Sequence, residues 1–175
     1  MNMELIPVDV NEKEILRNLL EKYDYEFSQY DQRDVNDLGL YGYDYLDYYW
    51  TEKDRWAFFI KVDQKLAGFA MVNTFPEMVA ETDYSMAEFF VMHKYRGQGI
   101  GRFAAFQVFD MFPGKWQLKR HPKNLGSVHF WNKVIQEYTK GNHLYIPGHP
   151  EARYDDGSLG DVFIFTSPGK EGGRK

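Results

Sequence analysis

The 175-residue chain contains no cysteine. Disulfides, thiolate metal sites and cysteine nucleophiles are therefore excluded together, and the composition suits a cytosolic, cytoplasmic protein. Neither a signal peptide nor an apolar run long enough to cross a bilayer is present, so no membrane role is expected. Positive charge is scarce, with 21 Lys and Arg against 26 Asp and Glu and a net charge of −5. That balance argues against a general nucleic-acid binder and is compatible with a cationic substrate. Both of the commoner phosphate loops are missing. A dinucleotide fingerprint starting at Gly97 would need its third glycine where Arg102 stands, and the Gly-Lys-Ser/Thr of a P-loop never follows. His121 and His129 have no metal-ligand spacing with nearby carboxylates, and His143 and His149 flank a Pro-Gly loop, so no metal site is expected. Ser127 lies near a histidine but outside any nucleophile-elbow sequence, which disfavours a hydrolase.

The length is that of one domain with a real core, and aromatics are abundant, with 13 Tyr and 14 Phe. Met3 to Val8 reads as a strand. Asn11 or a neighbour caps a helix through about Phe27, whose Ile15, Leu16, Leu19 and Leu20 recur at helical spacing. The segment Tyr30 to Tyr49 is too polar for a continuous core element and too aromatic for a disordered linker. Two apolar runs, Trp56 to Val62 and Lys65 to Val72, form a hairpin around Asp63-Gln64. Thr74 to Asp83 is a loop, Glu88 to Met92 a strand and Gly101 to Phe112 a helix ended by Pro113-Gly114. Lys115 to Arg120 is a strand, a helix runs to about Tyr138, and a strand pair is expected at His143 to Ile146 and Asp161 to Thr166. Residues 1–166 thus form one domain, and 167–175 are expected to be a flexible Gly/Lys-rich tail.

The most informative stretch is Ala-Glu-Phe-Phe-Val-Met-His-Lys-Tyr-Arg-Gly-Gln-Gly-Ile-Gly-Arg from Ala87 to Arg102. An apolar strand passes through a basic corner into alternating glycines and a helix start. Glycines at 97, 99 and 101 allow turn conformations and close ligand approach, and the unpaired N–H groups of the helix start attract anions. A basic set (Lys94, Arg96, Arg102, Lys115, Lys119, Arg120, Lys123) gathers around this cradle within an otherwise acidic chain.

Arg96-Gly97-Gln98-Gly99-Ile100-Gly101 resembles the Gln/Arg-x-x-Gly-x-Gly/Ala pyrophosphate loop of the GNAT superfamily of acyl-CoA-dependent N-acetyltransferases, with Val91 five residues before it. Asn124-x-x-Ser127-x-x-Phe130-Trp131-x-Lys133 resembles that superfamily's next helix-opening segment. The two motifs cover about Ala87 to Lys140. The resemblance implies an α/β (α+β) single domain whose mixed, mostly antiparallel central sheet carries helices on both faces and opens as a V between two central strands. It further implies acetyl-CoA as cosubstrate. The backbone of Val91, Met92 and His93 would lie along the pantetheine, and the Val91 N–H would polarise the acetyl carbonyl. Arg96, Gly97, Gln98, Gly99, Ile100, Gly101 and Arg102 would hold the pyrophosphate, with Asn124 and Trp131 also beside the cofactor. Glu88, in an otherwise apolar strand, is the expected base, with Glu26 and Asp24 as weaker candidates for an acceptor ammonium. The acceptor would be an amine of a small molecule or peptide, with neither nucleic acid nor membrane as partner; a homodimer is open, because acceptor pockets in this fold often lie near dimer contacts. Trp131 departs from the tyrosine usual at its position, so the group that protonates the leaving thiolate is unassigned. A non-catalytic acyl-CoA-binding or sensor domain is the alternative.

Overall fold

Alternating apolar residues in the strands and a 3.6-residue period in the helices sort the side chains onto two faces of one sheet. The computed structural model describes residues 1–76, 78 and 81–170. Strand β1 (Met3–Pro7) leads into a 3₁₀ turn, Val10–Glu12. Asp9 caps that turn, its carboxylate accepting from the Asn11 N–H at 2.8 Å while Glu12 accepts from the Asp9 N–H at 3.2 Å. Helix α1 follows as Lys13–Asp31, a turn longer than the sequence reading. Its last turn is stabilised by Gln32, left-handed at φ 60°, whose N–H donates to the Ser28 carbonyl. Asp24 and Asp31, both buried on α1, are paired with Arg33 just beyond the helix at 3.0 and 2.5 Å. Asp24 is thereby a structural carboxylate, and burial raises its pKa against the opposing pull of Arg33.

The tyrosine-rich segment contributes one short helix, α2 (Tyr48–Thr51), and buries Leu46 and Tyr49. It is pinned to α1 by Glu21, which accepts from the backbone N–H groups of Tyr41 and Gly42 at 3.0 and 2.9 Å. Strands β2 (Arg55–Val62) and β3 (Lys65–Asn73) form the expected hairpin. Asp63 and Gln64 both take positive φ, 47° and 70°, as a two-residue turn matched to strand twist requires. Strand β4 (Tyr84–Val91) begins four residues earlier than its most apolar part suggests, because an irregularity conceals its period. Met71 pairs with Glu88 but Val72 pairs with Met86, so Ala87 is the extra residue of a bulge. Parts of the 74–83 loop and the tail beyond Lys170 lie outside the described residues.

A 3₁₀ turn (His93–Tyr95) and helix α3 (Ile100–Met111) precede β5 (Gly114–Arg120), and α4 (Leu125–Thr139) precedes β6 (His143–Ile146) and β7 (Asp161–Ser167). Among the described residues seven strands are ordered β1-β2-β3-β4-β5-β7-β6, antiparallel except for the parallel β4–β5 pair. On one face, Leu16, Leu19 and Leu20 of α1 and Tyr49 of α2 pack with Phe59, Phe69, Met71 and Phe90. On the other, Val108 and Phe109 of α3 and Val134 and Ile135 of α4 pack with Phe58, Val72 and Trp116. Helices therefore cover both faces. Among the described residues no helix is long and apolar enough to cross a membrane.

Candidate active site

Strands β4 and β5 pair only at Tyr84–Trp116 and Ser85–Gln117 among the described residues. Beyond that point they part, leaving the second half of β4 with one hydrogen-bonded edge. Register decides which groups face the gap. Met92 donates to the Ala67 carbonyl at 2.9 Å, so Phe90 and Glu88, at alternate positions, direct their backbone groups to β3. Phe89 and Val91 consequently direct theirs into the opening. The Val91 carbonyl there accepts from Arg96 Nε at 2.7 Å. The opening belongs to a cleft of about 640 Å³, walled by Tyr23, Phe27 and Tyr30 of α1 on one side and by Phe130, Lys133 and Val134 of α4 on the other.

At the outer end stands the glycine-rich corner. Gly97 and Gly99 have φ of 73° and 79°, conformations that a side chain would strain. Gly101 is required for space: a Cβ there would stand 2.9 Å from the Phe130 ring, so its absence lets α3 approach α4 beside Val91. The first helical bond into this end of α3 is from Phe103 to the Gly99 carbonyl, which leaves the N–H groups of Ile100, Gly101 and Arg102 without helical acceptors. They open the positive pole of a 12-residue helix. Two ion pairs frame this pole. Arg96 donates to Glu26 at 2.7 Å and to His93 Nδ1 at 3.2 Å, and His93 Nε2 also contacts Glu26. Arg102 grips Glu137 of α4 with contacts of 2.5 to 3.0 Å and lies over the Phe106 ring. The Arg102 guanidinium holds the Glu137 carboxyl below the usual carboxylate range.

Glu88 is half-buried on the α1 face of β4, and while its neighbours Phe89 and Phe90 and the α1 residue Tyr23 line the cleft, Glu88 itself is not among the lining residues. Burial, and then the Glu88 charge, push the Tyr23 and Tyr43 hydroxyls well above the ordinary tyrosine value. Tyr49 is pushed up to about 12, chiefly by burial. The Glu88 charge thus acts on three buried phenols, one from α1 and two from the tyrosine-rich segment. The outer tyrosines are engaged by a cation of the chain itself: the Arg55 guanidinium lies 4.4 Å from the Phe75 ring centre and 5.5 to 5.8 Å from those of Tyr45, Tyr48 and Tyr49.

The cleft brings together Val91, His93, Arg96, Gly97, Gly99, Gly101, Arg102 and Asn124 of the expected set. Asn124 also caps α4, its Oδ1 accepting from the Ser127 N–H at 3.1 Å. Others stand elsewhere. Ile100 is buried in the core, and Gln98 turns outward to the Lys94 carbonyl. Trp131 is buried edge-on to Phe89 and Phe130, with ring centres at 5.0 and 4.7 Å, and is not among the residues lining the cleft; neither is Met92. Tyr138, on the same helix, is held by Asp110 and Ser167 at 2.8 and 2.7 Å. Sequence reading missed Tyr23, Phe27 and Tyr30, because aromatic residues at helical spacing on a buried face carry no mark beyond packing. Among the described residues, no group of three or more His, Asp or Glu could hold a metal.

The same architecture recurs among solved structures. An acetyltransferase from Thermus thermophilus superposes with a TM-score of 0.63 at 14% identity, covering 95% of this chain and 97% of that one. A spermidine N-acetyltransferase from Vibrio cholerae, solved with CoA and spermine, superposes at 0.62 and 13% identity, covering 94% and 95%. The ribosomal-protein-S18-alanine N-acetyltransferase of Escherichia coli gives 0.56 at 10% identity, covering 99% of each. No protein of curated function matches the chain by sequence. The acetyltransferase (GNAT) family profile, however, matches residues 14–135, spanning α1, the parted strands, the glycine corner and most of α4. The chain belongs to the GNAT acetyltransferase family.

Proposed function

We propose that this protein transfers the acetyl group of acetyl-CoA to a primary amine of a small molecule or peptide. The observation that carries the reading is the alignment of two features along one cleft, the helix pole of α3 and the edge of β4 at Phe89 and Val91 that β5 leaves unpaired, with Glu88 next to Phe89 on the α1 face of the same strand. In this reading the N–H groups from Gly97 to Arg102 bind the pyrophosphate, the arginines Arg96 and Arg102 frame it, and Asn124 borders it from α4. The edge of β4 at Val91 to His93 runs beside the pantetheine arm. The Val91 N–H, directed into the gap, donates to the acetyl oxygen and stabilises the charge that develops there. Glu88 takes the proton of the attacking amine. Its position among tyrosines suits a cation, since phenol rings and a carboxylate both attract an ammonium group. The spermidine enzyme among the neighbours acts on such an amine.

Binding and turnover test the two halves separately. Gly99→Asp places a side chain in a left-handed position and a negative charge at the helix pole. It is expected to abolish acetyl-CoA binding in calorimetry while the protein keeps its fold; unchanged affinity would remove the cradle from the reading. Release of CoA with a panel of primary amines is expected for the wild-type protein. Saturable acetyl-CoA binding without release would instead support the non-catalytic acyl-CoA-binding alternative, which the burial of Trp131 favours.

A further inference from the structure

We propose that Arg96 determines which acetyl donors the cleft admits: its guanidinium lies across the seat of the thioester arm and moves aside for a donor that carries a diphosphate. The inference rests on the N-acetyltransferase reading above. All three guanidinium nitrogens are engaged, Nε donating to the Val91 carbonyl at 2.7 Å, Nη2 to Glu26 of α1 at 2.7 Å, and Nη1 meeting His93 Nδ1 at 3.2 Å. The guanidinium carbon also lies 5.7 Å from the centre of the Phe90 ring. Glu26, Phe90, Val91, His93 and Arg96 all line the cleft. The side chain is therefore a strap, fastened at one end to the edge of β4 and at the other to the α1 wall. Arg102, the other arginine at the helix pole, turns instead to Glu137 of α4 and the Phe106 ring.

Two groups compete for the Val91 carbonyl. The pantetheine arm, passing along β4, brings amide N–H groups that need an acceptor there, and the strap already holds it. The oxygen has a second lone pair, but a guanidinium tied at once to Val91 and Glu26 stands where the arm must enter. The diphosphate supplies what the arm lacks. Bound at the N–H groups of Ile100, Gly101 and Arg102, it brings negative charge beside the corner from which Arg96 projects, and a guanidinium pairs with phosphate oxygens through short, charge-assisted bonds. Exchange of Glu26 for the diphosphate carries the guanidinium off the Val91 carbonyl. The thioester end of the cleft thus opens in response to the opposite end of the donor, and a thioester without a diphosphate must displace the strap with no anion to offer it.

The test measures the binding of two donors to wild type and to Arg96→Ala: acetyl-CoA by calorimetry, and S-acetylpantetheine by titration of the Val91 amide signal in NMR. S-acetylpantetheine has the same thioester and the same amides but ends in a hydroxyl. The substitution is expected to act in opposite directions on the two. Acetyl-CoA binding weakens roughly 10-fold as the arginine–phosphate contact is lost, whereas S-acetylpantetheine binding tightens by about fivefold or more as the seat is freed. S-acetylpantetheine affinity unchanged or weakened in Arg96→Ala, or no saturable binding by that variant, overturns the strap. Glu26→Gln keeps the arginine and removes its anchor, and is expected to tighten S-acetylpantetheine by about threefold. Because that ligand is uncharged, loss of a negative charge from the cleft cannot by itself produce the gain. Should Arg96→Ala lose its cooperative melt, Glu26→Gln carries the test, and an unmoved S-acetylpantetheine affinity overturns the proposal. A wild-type protein that does not bind acetyl-CoA overturns the underlying reading and the strap together; acetyl-CoA binding with S-acetylpantetheine indifferent to both substitutions overturns the strap alone.

Discussion

Gly68 shows how much of this site depends on single positions far from any charge. A Cβ built there would stand 1.9 Å from the Phe90 carbonyl oxygen, inside the β3–β4 ladder that orients Glu88 and Val91. Neither backbone can yield without breaking register. Gly68→Ala is therefore expected to destabilise the protein by about 3 kcal/mol or more, read as a shift in the denaturant midpoint. The glycines of the cradle were legible in the sequence because three of them alternate behind a strand and before a helix. Gly68 was not, since an isolated glycine in an apolar strand reveals no neighbour. Tyr23 was illegible for a different reason: its ring occupies a helical packing position that carries no mark of the cleft it lines.

Among the elements, the loop between β6 and β7 is held by one carboxylate. Asp156, its side chain 5% exposed, accepts from His121 Nε2 at 3.2 Å, from Lys123 Nζ at 2.9 Å, and from the Ser158 hydroxyl and N–H at 2.7 and 3.1 Å. His121 Nδ1 accepts from the Lys123 N–H, which assigns its proton to the nitrogen facing Asp156. Against burial, which alone would raise it, these donors hold the Asp156 carboxyl well below the usual aspartate range. The stabilisation is therefore complete above the unfolded-state value near pH 4 and is lost as pH falls toward the folded one. Asp156→Asn is expected to cost about 1–3 kcal/mol at pH 7, with the difference in melting temperature from wild type shrinking as pH is lowered below about 4. The loop matters to the cleft because Tyr154 within it packs on Phe27 at 5.7 Å. A second polar anchor fixes the neighbouring strands: buried Arg120 of β5 meets Asp161 of β7, Asn132 of α4 and Tyr145 of β6. Sequence periodicity located the strands and helices that these anchors join. It grouped Arg120 and Lys123 with the basic residues around the cradle, because charge in a linear chain does not disclose which carboxylate lies opposite.

At the scale of the whole molecule, the sheet has one parallel junction among the described residues, and the cleft opens because that junction is short. If the cleft admits acetyl-CoA, the amides of Phe89 and Val91 are expected to exchange rapidly in the free protein and slowly with the ligand present. Those of Glu88 and Phe90, bonded to β3, should be slow in both, a contrast measurable by amide exchange with NMR detection. The order of elements, the single domain and the parting of two central strands were all within reach of two motifs and the hydrophobic pattern. The extent of the parting was not, because it follows from strand lengths and a bulge. The brief seam also has a kinetic meaning. β2 to β4 form successive antiparallel neighbours through a turn and a loop, whereas β5 must return beside β4 after the whole of α3 has formed. Closing that crossover wins little ladder in exchange for its loop entropy, so the β2–β4 meander is expected to assemble early and the C-terminal half to dock onto it as the late, slow phase of refolding.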